Sequence, residues 1–479
     1  MITTVYQYLN FIEKKYGDRI TLQYVDHDNR SVQKKTFREF TADVRKCAMH
    51  LKATIPDIKQ QKIGLLAKNS YHYAVSLMGV MLSGAVVVPL NFEEPPKNIR
   101  YELEFAEIRY LLHDGNYFLR EENESGQFAF CDKRRIDEYL KSEETAELED
   151  CDDIEKMTMI LFTSGTTGKS KGVMLSSKNI FAPLRTYEKY VEQFSGGMQQ
   201  KQLITSPLYH VSGIAILCSN QLMGNICNLV CDVKYIYRDL KLMDSTFATV
   251  VPAILESWSK DLKRGRKDRL GNLKFIVVGA AMVDVEQMKI FAENGITIAQ
   301  AYGLTEIFGG GTTNASMNLQ KLNSVGLPGK DCQIKIEQDG EICLKSDAVM
   351  MGYYNDPEET AKVIRDGWLH TGDLGYLDED GYLYLTGRKK NLIILSGGEN
   401  VNPEELEQLL LKEPDIEEVL VKEKENKIVA EVFCNTDMKP EIQKYVSEVN
   451  RKLPLYKRIT KLEFRTEPFQ KTATGKIKR

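Results

Sequence analysis

Residues 157–172 read Met157-Thr158-Met159-Ile160-Leu161-Phe162-Thr163-Ser164-Gly165-Thr166-Thr167-Gly168-Lys169-Ser170-Lys171-Gly172. The opening residues form an apolar run with β-branched members, the pattern of a buried strand. After them come small hydroxyl residues and three glycines, too little side chain to pack a core. Such a loop can wrap backbone N–H groups and hydroxyls around an anion, and two lysines add positive charge. The reading is a phosphate-gripping loop.

Gly168-Lys169-Ser170 has the form of a Walker A ending, but that pattern needs glycine at position 163, where Thr163 stands. It also needs a helix to open at the lysine, whereas residues 171–175 continue as a strand. A P-loop NTPase is therefore excluded. A Ser/Thr/Gly-rich surface turn without a ligand is the bland alternative, and later segments count against it. Thr163 to Gly172 resembles the signature loop of the adenylate-forming superfamily, which includes acyl-CoA synthetases, aryl-CoA ligases, luciferases and adenylation domains. That family usually carries proline where this chain has Ser170.

The 479 residues exceed one ordinary core, so two or three domains are expected. Hydrophobic residues at 42% with charged residues at 28% match a soluble globular protein. A net charge of −4 gives no bulk attraction to nucleic acid or anionic lipid. Residues 1–16 are polar and amphipathic, unlike a signal peptide. The most apolar stretch, 74–90, is interrupted by Gly79, Ser83, Gly84 and Pro89 and reads as a buried helix and strand, so no integral membrane segment is expected. Nine cysteines lack framework spacing. Cys227 and Cys231 are the nearest pair, with no second pair or His cluster to complete a zinc site. Reduced thiols and a cytoplasmic location are expected.

Along the chain, helices are expected over 2–16, 36–53 and 74–83, and strands over 20–25, 62–66 and 85–90. This alternation implies an α/β fold of parallel sheets covered by helices. Residues 114–156 contain acidic, solvated stretches without assigned chemistry. Strands are expected over 203–208, ending in Tyr209-His210, and over 274–278 and 296–301. A helix is expected over 283–294. Gly309-Gly310-Gly311 reads as flexible backbone, either functionless or admitting an acyl chain. Residues 340–344 and 352–354 form short sheet segments of a third lobe. After 388, a helix over 406–411 and a strand over 428–433 make a small α+β module, with a trimmed loop between 421 and 428.

The resemblance covers essentially the whole chain and implies roles for its motifs. The architecture it implies is a large domain, 1–387, with parallel sheets and a small barrel-like lobe, then a small mobile domain, 388–479, hinged at Lys390. Thr163, Ser164, Gly165, Thr166, Thr167, Gly168 and Lys171 would hold ATP phosphates. Gly279-Ala280-Ala281 carries no side chain larger than a methyl, so adenine can lie against its backbone. Tyr302 would stack on adenine, Gly303 would border nucleotide and acyl group, Thr305 would contact phosphate and Glu306 would hold Mg²⁺. Each suits its chemistry: π-surface, hydroxyl donor and hard oxygen anion. Asp373, in Thr371-Gly372-Asp373, would accept from the ribose hydroxyls with help from Arg388. His210 and Val211 would border the acyl pocket; a lone histidine beside an apolar run is otherwise a core residue. Ser396-Gly397-Gly398 would help form a CoA channel. Lys476 would reach the α-phosphate and the carboxylate oxygen, where negative charge builds.

The implied reaction has two halves. A carboxylate attacks the α-phosphorus of Mg·ATP, giving acyl-AMP and pyrophosphate; the small domain then rotates and the CoA thiol takes the acyl group. No acidic residue among Val211 to Leu217 suits an α-ammonium, so a medium- or long-chain fatty acid is expected. Local similarity to o-succinylbenzoate–CoA ligases makes that aromatic diacid the alternative, although no Arg or Lys stands nearby in sequence. Loading of an acyl carrier protein, or a nucleotide-binding sensor without turnover, are further readings. The intact Glu306, Asp373 and Lys476 argue against the sensor.

Overall fold

The computed structural model describes all residues except 1, 27–29, 118–127, 129, 151–152, 164–169, 182, 185–198, 280–282, 284, 315–320, 396–398, 435, 472–476 and 478. Two compact units emerge: Met1–Gln333 with Leu344–Leu369, and Ile334–Cys343 with His370–Arg479.

Among the described residues, two large sheets build the first unit. One has nine strands, and six adjacent ones run parallel: Thr297–Gly303, Phe275–Val278, Phe247–Val250, Lys201–Ile204, Ile226–Leu229 and Ile20–Val25. Antiparallel strands close both edges. The other has seven strands. Met157–Thr163, Val86–Pro89, Lys62–Leu66, Tyr110–His113 and Asp132–Arg135 run parallel, and Lys171–Ser176 and Gly352–Tyr353 continue antiparallel. Val86–Pro89 and Ile226–Leu229 are buried at every position, as strands covered on both faces must be.

Helix starts follow their caps. Thr36 and Glu39 form a reciprocal capping box, so the expected helix begins at Phe37 and runs to Thr54. The helix expected over 74–83 spans Tyr71–Leu82 instead, because Ser70 Oγ accepts from Tyr73 N–H at 3.0 Å and starts it earlier. Its flanks are buried all round except at His72. A Cβ on Gly79 would stand 2.7 Å from Cys47 Sγ, so only glycine permits this approach to the Phe37–Thr54 helix. Among the described residues, no helix is long and apolar enough to cross a membrane.

The strand expected over 203–208 is only Lys201–Ile204. Pro207 has no N–H for a ladder, and the chain turns there into a helix, Val211–Leu222, that apolar content alone did not reveal. Residues 132–135, within the 114–156 stretch to which the sequence pattern assigns no element, form the last parallel strand of the seven-stranded sheet.

The second unit holds most of an antiparallel sheet, with neighbouring strands Gln333–Ile336, Glu341–Lys345, Trp368–Leu377 and Leu383–Arg388. Its C-terminal module packs helices Pro403–Leu410 and Lys439–Lys452 on strands Ile416–Lys424, Lys427–Cys434 and Lys461–Arg465. Leu406, Leu410, Val421, Ile428, Val432 and Ile442 form its core. Glu425 and Asn426, with φ of 55° and 58°, make the two-residue turn that shortens the 421–428 loop. Packing thus groups the antiparallel sheet with the module that the sequence reading places after residue 387. The architecture is mixed α/β, with large parallel and smaller antiparallel sheets.

Candidate active site

The phosphate-loop reading falls between two paired strands. Thr163 faces Lys171 in the antiparallel register, so the two residues that flank the loop lie on adjacent strands. Ser164 to Gly168 lie outside the described residues. At the loop's base, Lys171 Nζ sits 2.6 Å from Glu359 Oε1 and 4.9 Å from the centre of the Tyr353 ring. Burial pushes the Glu102 carboxyl up to a pKa of about 7, against an opposing effect of the Ser170 side chain.

Glu306 sits in the short turn Thr305–Ile307 beyond the strand Thr297–Gly303. Its Oε1 accepts from the Tyr353 hydroxyl at 2.9 Å, and its carbonyl accepts from Met350 N–H at 2.8 Å. Burial, then the Glu306 charge, push the Tyr353 phenol far above its ordinary value, so it stays a donor. Tyr353 thus touches both Glu306 and Lys171. Sequence reasoning placed Gly352-Tyr353-Tyr354 in a third lobe and missed this role; nothing local signals it. Glu359, the partner of Lys171, was likewise missed. A carboxylate oriented by a neutral donor is a hard oxygen ligand that fits Mg²⁺.

Tyr302 is 8% exposed, and Gly303 comes next at the strand end. A Cβ on Gly303 would stand 2.2 Å from the Gly309 carbonyl oxygen, and one on Gly311 would stand 2.3 Å from that of Tyr302. Gly303 and Gly311 are therefore demanded by close backbone approach, which replaces the expectation of flexible backbone. Gly279 ends its strand with open space around a notional Cβ, the nearest atom being Ala301 O at 4.0 Å. Ala280 and Ala281 lie outside the described residues.

His210 caps the helix Val211–Leu222: its Nδ1 lies 3.3 Å from Ser212 N and 2.9 Å from Ser212 Oγ. A Cβ on Gly213 would stand 2.2 Å from Pro207 O, so the helix can start this close to the preceding turn only with glycine. Gly309 approaches Val211 and Ala215, since its notional Cβ lies 3.7 and 3.8 Å from their side chains. The fold thus brings the 210–215 helix start against the Gly303–Gly309 turn.

In the second unit, Asp373 pairs with Arg388 across adjacent strands, Arg388 Nε lying 2.7 Å from Asp373 Oδ1. Gly372, inside the strand Trp368–Leu377, has a left-handed φ of 69°. Its N–H donates to Glu341 Oε1 at 3.0 Å, while Lys389 Nζ lies 2.9 Å from Glu341 Oε2. Burial alone would raise the Glu341 carboxyl; bonds from Lys389, His370 and Gly372 hold it below its ordinary value. Glu341 was not singled out from sequence. Lys390 lies in the exposed turn Lys389–Asn391. Ser396, Gly397 and Gly398 lie outside the described residues; the flanking strands Ile393–Ile394 and Asn400–Val401 pair antiparallel. Lys476 also lies outside them, between Lys471 and Ile477, which form an antiparallel bridge. A cleft of about 590 Å³ walled by Tyr24, Lys68, Asp114 and Arg135 contains none of the candidate residues.

The sequence profile of the family described as AMP-binding enzyme matches residues 12–354. A 2-succinylbenzoate–CoA ligase of Bacillus mycoides (strain KBAB4) is 32% identical over 401 residues, covering 81% of this chain and 80% of the relative. The o-succinylbenzoate coenzyme A synthetase of Bacillus subtilis, solved in complex with ATP and magnesium ion, superposes with a TM-score of 0.83 at 28% identity, covering 98% of both chains. A fatty acyl CoA synthetase of Mycobacterium tuberculosis, at 24% identity and a TM-score of 0.75, covers 99% of this chain and 96% of its own and shares the fold. The chain belongs to the AMP-binding enzymes of the adenylate-forming superfamily and is an AMP-forming acid–thiol ligase with acyl-CoA ligase activity.

Proposed function

We propose that this enzyme activates 2-succinylbenzoate or a closely similar aromatic diacid with ATP and transfers the acyl group to CoA. The observation that carries this is the 32% identity to a 2-succinylbenzoate–CoA ligase across 81% of the chain. It favours the aromatic diacid over the fatty acid expected from sequence. The fatty acid remains the second reading because the residues from Val211 to Leu217 carry no charge and Gly309 packs beside Val211 and Ala215.

In the first half-reaction a substrate carboxylate oxygen attacks the α-phosphorus of ATP, and pyrophosphate leaves. Residues 163–171 grip the phosphates and Gly279, Ala280, Ala281 and Tyr302 take the adenine. Asp373, oriented by Arg388, accepts from the ribose hydroxyls. Thr305 donates to phosphate. Glu306, held by Tyr353, would hold Mg²⁺, which when bound neutralises phosphate charge. Lys476 stabilises the charge that builds on the transferring phosphoryl group. His210, locked by Ser212, gives the acyl pocket a fixed edge near the reacting carboxylate. In the second half-reaction residues 388–479 turn about Lys390, withdrawing Lys476 and presenting Ser396, Gly397 and Gly398 beside the CoA thiol. The thiol sulfur attacks the acyl carbon and AMP leaves.

Pyrophosphate release and CoA-thioester formation, measured over 2-succinylbenzoate, benzoate and C8–C16 fatty acids, test the proposal. Preference for 2-succinylbenzoate supports it. Preference for a fatty acid overturns the substrate assignment, and pyrophosphate release without thioester shifts the acceptor to a carrier protein.

A further inference from the structure

Three donors from three adjacent strands converge on the antiparallel sheet of the second unit. Glu337 follows the strand Gln333–Ile336, Cys343 lies in Glu341–Lys345, and His370 lies in Trp368–Leu377. One carboxylate oxygen, the thiol sulfur and one imidazole nitrogen all lie within 4.8 Å of one another. Cys343 Sγ is 3.3 Å from His370 Nδ1. Bonds of roughly 2.3 Å to sulfur and 2.0 Å to nitrogen in a tetrahedral zinc site would put these donors roughly 3.5 Å apart. The observed spacing is therefore near that of a ligand pair without rearrangement.

The surroundings suit a cation. Glu341 Oε2 stands 3.3 Å from the same nitrogen, although its carboxylate also accepts from Gly372 N–H and Lys389. Glu337 now pairs with Lys335 at 2.6 Å, and a bound ion would take over that charge. Cys343 and His370 are nearly enclosed, whereas the Glu337 side chain is 34% exposed and gives a way in from solvent. A thiol, an imidazole and a carboxylate select a borderline-soft ion such as Zn²⁺ over Mg²⁺. Nothing in the ligase chemistry uses this cluster.

We propose that Cys343, His370 and Glu337 form a Zn²⁺ site, with a fourth position left to solvent or an exogenous ligand. Binding breaks the Cys343 S–H bond, forms a metal–thiolate bond and releases the proton to water, with no change of oxidation state. Because His370 and Asp373 lie in the same strand, Trp368–Leu377, the ion would hold that strand to its neighbours three residues before Asp373. The site was invisible to cysteine spacing because its donors are 27 residues apart at the Cys343–His370 step and meet only through strand order.

The test uses the full chain, stripped with a chelator and titrated with Co²⁺, then Zn²⁺, in excess Mg²⁺. The expected result is a thiolate-to-cobalt absorption band in the near ultraviolet, about one proton released per ion, and loss of the band on Zn²⁺ addition. Cys343→Ser abolishes the band, and His370→Asn and Glu337→Gln each weaken Co²⁺ binding by about tenfold or more. Far-ultraviolet circular dichroism checks the fold of each variant. If Cys343→Ser does not fold, the His370→Asn and Glu337→Gln titrations decide the matter. No band in the wild type, a band that survives Cys343→Ser, or unchanged affinity in both other variants overturns the proposal. None of these results bears on acyl substrate choice, so the two proposals fail separately.

Discussion

Arg388 Nε lies 2.7 Å from Asp373 Oδ1, and the two residues face each other in the register of adjacent antiparallel strands. The guanidinium fixes the direction of a carboxylate that is itself buried. Asp373→Asn keeps the shape but loses the charge. ATP KM should rise roughly ten- to hundredfold while the acid KM changes little. Initial-rate kinetics with ATP and acid varied separately check this, and an equal rise in both would remove Asp373 from the ribose site.

The Tyr353–Glu306 hydrogen bond gives a second prediction. Tyr353→Phe deletes only the donor, leaving the ring beside Lys171. Acyl-AMP formation should fall roughly three- to tenfold at limiting Mg²⁺ and recover in part as Mg²⁺ is raised. A loss independent of Mg²⁺ would separate Tyr353 from metal binding.

Gly213 should be intolerant of a methyl group. Gly213→Ala pushes a Cβ against Pro207 O and displaces the turn that sets His210. Stability should fall by about 2 kcal/mol or more, and kcat should fall further than the ATP KM changes. Chemical denaturation and steady-state kinetics read the two effects.

Glu102 predicts a pH dependence. Burial raises its pKa to about 7, the Ser170 hydroxyl works against the rise, and Glu94 adds to it. Among the described residues, its Oε2 has no hydrogen-bond partner. A raised folded-state value means the stabilising contribution is full below the unfolded carboxyl value and is lost as pH rises through about 7. Glu102→Gln should therefore gain on the wild type by roughly 1–3 kcal/mol between pH 5 and pH 8. Unfolding curves that stay parallel across that range would show that the carboxyl ionises freely.

Lys476→Ala should abolish acyl-AMP formation yet spare thioester formation from supplied acyl-AMP. On either side of it in the chain, Lys471 Nζ lies 2.6 Å from Glu418 Oε1, and Arg479 pairs with Glu407 at 2.6 Å. Equal loss of both half-reactions would count against a lysine that serves only one of them.

Much of this enzyme is legible in one dimension. The buried strand at 157–163, the buried helix before residue 83 and the C-terminal α+β module follow from apolar periodicity, because a covered surface constrains every second or every third to fourth residue. The class of chemistry follows from the family resemblance that short contiguous motifs carry. Cap-determined helix starts were less visible: Ser70 and His210 act through single side-chain hydrogen bonds that hydrophobic pattern does not register.

By itself the sequence pattern determined an α/β fold with a nucleotide-gripping loop, and the resemblance its motifs carry pointed to the adenylate-forming chemistry. Only the tertiary structure decided that Tyr353 meets Glu306 and Lys171, that Glu341 holds Gly372 and Lys389, and that Cys343, His370 and Glu337 share one face of a sheet. Those neighbours come from different strands and the turns beside them, and strand order and register bring them together over separations that no local spacing encodes.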